Sequence, residues 1–115
     1  MTNGERDGMK QILAVLLGVG LTVTFTQASV FKGQRAYMKL CKKCHKSGGK
    51  LAMSHTQNEW EDYFDENARL LKEVHKNNKT AMQKLNSKRF EKNIRHMRQF
   101  FLKYASDSGN VPACN

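Results

Sequence analysis

The sequence predicts an all-α fold, a small bundle of three to four helices. Three observations carry that expectation. Apolar residues recur at three-to-four spacing over 57–75 and again over 88–106, as amphipathic helices require. Each of these stretches opens on a hydroxyl side chain suited to an N-cap, Thr56 and Ser87. No strand-rich segment flanks the cysteine pair at positions 41 and 44.

That pair stands in Cys41-Lys42-Lys43-Cys44-His45, the spacing of a c-type haem attachment motif. The chemistry needs that order. Each thiol adds across one vinyl group of the haem, and the histidine then falls beneath the macrocycle, where its imidazole ligates the iron from the proximal side. Cys41 and Cys44 are thus the expected thioethers of one covalently attached haem c, and His45 the expected proximal iron ligand. A thioredoxin-like dithiol would want a βαβ context. A structural zinc site would want a fourth ligand, usually in a second paired cluster. The one other cysteine is Cys114, alone near the end, with His55, His75 and His96 scattered between. Haem is the reading these residues favour.

In chain order, residues 1–28 read as a signal peptide and 29–115 as the haem domain. Residues 1–10 are polar, and Met9-Lys10 makes a better signal start than Met1. Ile12 opens an apolar run to Phe25 that falls short of the ~20 residues a bilayer span needs. Thr26-Gln27-Ala28 is an imperfect small-x-small cleavage site, and the alternative is an uncleaved anchor. Either way the motif is expected outside the cytoplasm, in the periplasm.

Residues 31–41 are expected to be helical, with Phe31, Gln34 or Arg35, Met38 and Cys41 or Lys42 on one face, widened by Tyr37 and Leu40. Gly33 within it is either a helix-start glycine or the point where another helix crosses. Residues 46–50 read as a glycine-rich turn. Thr56 with Glu59 forms a capping box, opening a helix whose stripe is Trp60, Tyr63, Phe64, Leu70, Leu71 and Val74. Trp60 is expected in the core, with a place beside the cofactor as the alternative. Residues 76–86 are polar and broken by Asn77-Asn78, with Met82 the large apolar side chain. The final helix puts Phe90, Ile94, Met97, Phe101 and Tyr104 on one face.

Size and charge bound the rest. The chain of 115 residues is one domain. Its core is small, and a covalent cofactor would act as the staple such domains commonly need. Twenty Lys+Arg against ten Asp+Glu give a formal charge of +10. Residues 1–28 hold two of each sign, Arg6 and Lys10 against Glu5 and Asp7, so the remainder keeps the same excess. The bases are interleaved with acids, which argues against nucleic acid as the partner. A basic rim suits acidic protein partners or an anionic membrane surface.

This layout resembles the class I cytochromes c, in which a helix leads into the haem motif and an aromatic C-terminal helix crosses it. Gly33-Gln34-Arg35-Ala36-Tyr37 before the motif and Phe101-Leu102-Lys103-Tyr104 near the end carry that likeness. The Phe31-Lys32-Gly33-Gln34 opening, His55-Thr56-Gln57, Trp60 and Gly109-Asn110-Val111-Pro112 also resemble a group of small bacterial cytochrome c family proteins. The resemblance implies a periplasmic, monohaem, mostly helical protein. It implies a distal methionine ahead of the last helix, which makes Met82 the first choice for the sixth iron ligand. Class I members place a proline soon after the motif, whereas here the single proline is Pro112.

The function expected is that of a monomeric, non-enzymatic electron carrier, passing single electrons to redox partners through an exposed haem edge. The alternatives are a five-coordinate haem protein that binds or senses a small ligand, and a non-haem basic interaction protein that uses Cys114.

Overall fold

The computed structural model describes residues 25–112. The fold is all-α, with six helices and no strand among the described residues. In chain order they are α1 (Phe25–Leu40), α2 (Lys42–His45), α3 (Gly48–Met53), α4 (Gln57–Val74), α5 (Lys79–Leu85) and α6 (Lys88–Lys103). The expected signal segment up to residue 24, and Cys114, lie outside the described residues. None of the described helices is long and apolar enough to cross a membrane.

The dominant packing is α1 against α6. Gly33 makes it possible. A Cβ on Gly33 would overlap the carbonyl oxygen of His96 and come within 2.9 Å of the Met97 nitrogen, so the two backbones meet where no side chain intervenes. Of the two roles open to Gly33, the structure gives the helix crossing. The face of α1 that packs corrects the expected one in part: Tyr37 and Leu40 are buried as expected, but the centre of the face is not where the spacing put it. Phe31 and Met38 are 62% and 48% exposed, and the buried stripe is Val30, Gly33, Tyr37 and Leu40. Large apolar side chains drew the expectation to one side of the helix, while close approach at a glycine decides the other.

α4 opens as its sequence requires. Thr56 accepts from the Glu59 N–H at 3.3 Å and the Glu59 carboxylate accepts from the Thr56 N–H at 3.1 Å, a complete capping box. Its interior departs from a helix at 65–68. Asp65 is extended, and Glu66, Asn67 and Ala68 follow at φ 50°, 59° and 60°. A left-handed residue other than glycine costs roughly 1–2 kcal/mol, so the packing around buried Ala68 must offset that strain.

Two segments expected to be irregular are helical. Residues 48–53 form α3, although 46–50 read as a turn; Ser47 caps it by accepting from the Lys50 N–H at 3.2 Å. Gly48 is buried under the rings of Tyr37 and Phe100, where a Cβ would stand 2.8 Å from Tyr37 Cε1. Tertiary packing overrides the poor helix propensity of two glycines. Met82, expected in a loop, lies on α5, whose N-cap Asn78 accepts from the Ala81 N–H at 3.0 Å. α6 begins on the Ser87 cap but stops at Lys103, short of the expected residue 106.

The core is an aromatic cluster. Trp60 and Phe101 lie 4.3 Å apart between ring centroids, Phe64 stacks on Phe101 at 5.5 Å, and Tyr37 meets Phe101 edge-on at 5.9 Å. Phe90, Met97, Phe100 and Phe101 are the buried side of α6. Arg98 on that helix donates from Nε to Glu61 of α4 at 2.8 Å, tying the two helices at the surface.

Candidate functional site

One cavity of about 410 Å³ opens between the end of α1, α2, α4 and α5. Its walls are mainly apolar: Leu40, Leu51, Trp60, Tyr63, Phe64, Leu71, Val74, Leu85, Met97 and Phe101. Cys41, Cys44 and His45 all stand on it, as do His55, His75, Asn78, Thr80 and Lys84. The size falls within the ~300–1,000 Å³ of cofactor clefts, and an apolar wall with a few convergent polar groups is their usual character.

The motif reaches the cavity because α1 runs straight into it. The Cys41 N–H donates to the Tyr37 carbonyl at 2.8 Å, continuing the helical ladder, and the His45 N–H donates to the Cys41 carbonyl at 2.9 Å. α2 is thus one turn, with Cys41 at its start and Cys44-His45 at its end. Lys46 then takes φ 61° and reverses the chain. The Tyr37 hydroxyl donates to the Lys46 carbonyl at 2.9 Å, which clips that reversal to α1.

Cys41 is half-buried, while Cys44 and His45 are exposed at the rim. Burial pushes the Cys41 thiol up to about 11, with Lys84 opposing the rise and Cys44 adding to it. The same burial, with Cys41 alongside, raises the Tyr37 hydroxyl to about 12. His45 is held below the usual imidazole value, first by desolvation and then by His75 nearby. At neutral pH the rim therefore carries a protonated Cys41 thiol and a neutral His45 imidazole, with a lone pair available for a metal.

His75 caps the end of α4, and its ring centroid lies 5.9 Å from that of His45, the planes at 78°. Its Nδ1 is 2.7 Å from the Leu71 carbonyl oxygen, so Nδ1–H donates and Nε2 is left with the lone pair. His55 sits elsewhere on the wall, with Nδ1 3.1 Å from Glu59 Oε2 and its ring edge-on to Trp60 at 4.9 Å. Trp60 spends its indole N–H on the Ala52 carbonyl at 2.8 Å.

The structure brings Cys41, Cys44 and His45 together on one wall. It does not bring Met82 there: that side chain packs against the core and is not among the cavity-lining residues. Met53 is likewise exposed and off the cavity. In the sequence His75 is one of three histidines scattered between the motif and Cys114. The signal that could have promoted it is its register, four residues after Leu71. Among the described residues no group of three or more His, Cys, Asp or Glu is placed to hold a metal ion by itself. No family model, curated protein or solved structure matches the chain.

Proposed function

We propose that the chain is a periplasmic monohaem c-type cytochrome, a small cytochrome c-like bundle folded around one covalently attached haem, and that it carries single electrons between redox partners. The observation that carries this reading is the shared wall: both thiols of a Cys-x-x-Cys-His motif and its histidine line one large apolar, aromatic cavity.

The residues present fit the group. Cys41 and Cys44, one turn apart, would supply the two thioethers; in each addition a sulfur–carbon bond forms and the thiol proton passes to the neighbouring vinyl carbon. His45 at the end of the same turn would supply the proximal nitrogen. Trp60, Phe64 and Phe101 would form the apolar wall that keeps water from a porphyrin face. When bound, haem supplies a one-electron iron couple whose potential is set by axial ligands and surroundings. Lys42, Lys43 and Lys46 are exposed beside the motif and would steer acidic partners to its edge. Association with an anionic membrane surface would draw on the same charge. The protein is proposed to act as a monomer, to bind no nucleic acid and to turn over no substrate.

The test is expression of the full chain with haem-attachment machinery. A chain heavier by one haem, holding it through denaturing electrophoresis and showing sharp reduced α and β bands, meets the reading. A colourless chain of unmodified mass overturns it, and would turn attention to the basic surface as an interaction face.

A further inference from the structure

The cavity holds a second imidazole close to the first. His45 and His75 both line it, with ring centroids 5.9 Å apart and ring planes at 78°. An ion held between two imidazoles needs two metal–nitrogen bonds of about 2 Å each plus the two ring radii, a total of about 6 Å. The observed separation meets that requirement.

The hydrogen bonding of His75 points the same way. Its Nδ1–H is committed to the Leu71 carbonyl at 2.7 Å, which fixes the ring and leaves Nε2 free. Metal-ligating histidines characteristically donate their other ring N–H to a backbone carbonyl or carboxylate in this way. The backbone around His75 is anchored too: its own N–H donates to Lys72 at 3.1 Å and its carbonyl accepts from Asn78 at 2.9 Å. A ligand so held loses little freedom on binding.

The competing donors are placed less well. Met82 does not line the cavity. Met97 does, but it is fully buried on α6 at the Gly33 crossing, where any shift would disturb the helix pair. His55 is engaged by Glu59 and packed on Trp60, and among the described residues His75 makes the one ring contact to His45.

We propose that His75 is the distal axial ligand, opposite His45, so that the iron is bis-histidine coordinated; this rests on the haem reading above. With both imidazoles bound, the iron would have no position open to a small ligand, which suits electron transfer. They also set a lower reduction potential than a histidine–methionine pair would.

The test uses the full chain loaded with haem, in wild-type, His75→Ala, His75→Met and Met82→Ala forms. Wild type is expected to be low-spin by electron paramagnetic resonance, with no sulfur-to-iron band and no change on adding CO to the reduced form. His75→Ala is expected to turn high-spin and bind CO. His75→Met is expected to gain the sulfur-to-iron band and a higher potential. Met82→Ala is expected to match wild type. A wild-type sulfur-to-iron band, a high-spin wild type, or a low-spin spectrum that survives His75→Ala each overturns the assignment while leaving covalent haem in place. A chain without added haem mass fails one step earlier, and the role of His75 falls with it. The wild-type spectrum decides even where a variant folds poorly, and far-ultraviolet circular dichroism identifies such a variant.

Discussion

The indole N–H of Trp60 donates to the carbonyl of Ala52 at 2.8 Å, inside the core. α3 ends at Met53, so the Ala52 carbonyl lies in its last turn, where helix carbonyls lack intrahelical partners. The Thr56 N–H, which could have satisfied it, is taken by Glu59. Trp60→Phe keeps an aromatic ring but leaves that buried oxygen without its donor. It should lower stability by about 1–3 kcal/mol, read as a reduced urea midpoint at unchanged slope.

Gly33→Ala places a methyl group against the backbone of His96, which has no flexible end to move. The expected loss is about 1–3 kcal/mol or more, as for overpacked cores. Gly109→Ala is the matching control. There φ is +76° with nothing within 4 Å of the added methyl, so only the left-handed backbone is penalised, at about 1–2 kcal/mol. Thermal melts of the two variants should separate them, with Gly33→Ala the lower. Equal melting temperatures would contradict the close crossing.

Cys41 and Cys44 should differ in reactivity as free thiols. In a Cys114→Ser chain produced without haem, exposed Cys44 should alkylate first and half-buried Cys41 slowly. With the Cys41 thiol raised to about 11, its labelling rate should climb about tenfold per pH unit up to that region. Peptide mass spectrometry after timed iodoacetamide pulses at several pH values checks both statements.

His96 should make the fold sensitive to mild acid. Its imidazole is held below the usual value by desolvation, then by Arg95 and Lys32, and its Nδ1 lies 2.8 Å from the Ser29 hydroxyl. A depressed folded value means that the unfolded chain takes up the proton first. Stability is therefore complete above about 6.5 and falls as pH drops through the folded value, by an amount that solvent screening of this partly exposed ring keeps small. His96→Gln should flatten that part of the curve. Denaturant midpoints from pH 7.5 to 5, wild type against variant, are the measurement.

Much of this architecture is legible in the residues. Thr56 with Glu59 and Ser87 before Lys88 mark two helix starts that the structure reproduces, because capping is local chemistry between side chain and backbone a few positions apart. Phe90, Met97 and Phe101 are buried as their spacing requires. What escaped depends on partners distant in sequence. The buried face of α1 is chosen by the α6 backbone at Gly33, and two adjacent glycines stay helical in α3 because Gly48 lies beneath Tyr37 and Phe100. The left-handed run at 66–68 has neither Gly nor Pro to announce it. At the site, the spacing of Cys41, Cys44 and His45 was readable. The approach of His75 to His45 was not, since the two lie thirty positions apart and meet only through the tertiary fold.

The α1–α6 crossing has a consequence for the order of events in this molecule. Ser29 and His96 touch across 67 positions of chain, and every group on the cavity wall except Phe101 and Met97 lies within that span. The cavity is thus the inside of a ring that the last helix closes. A contact so distant in sequence carries its chain-entropy cost before any packing rewards it, and it cannot form until α6 has been made. As the chain emerges from its N-terminus, the thiol pair precedes the helix that seals it. The motif is thus open to solvent before the crossing exists, and the crossing shuts behind it.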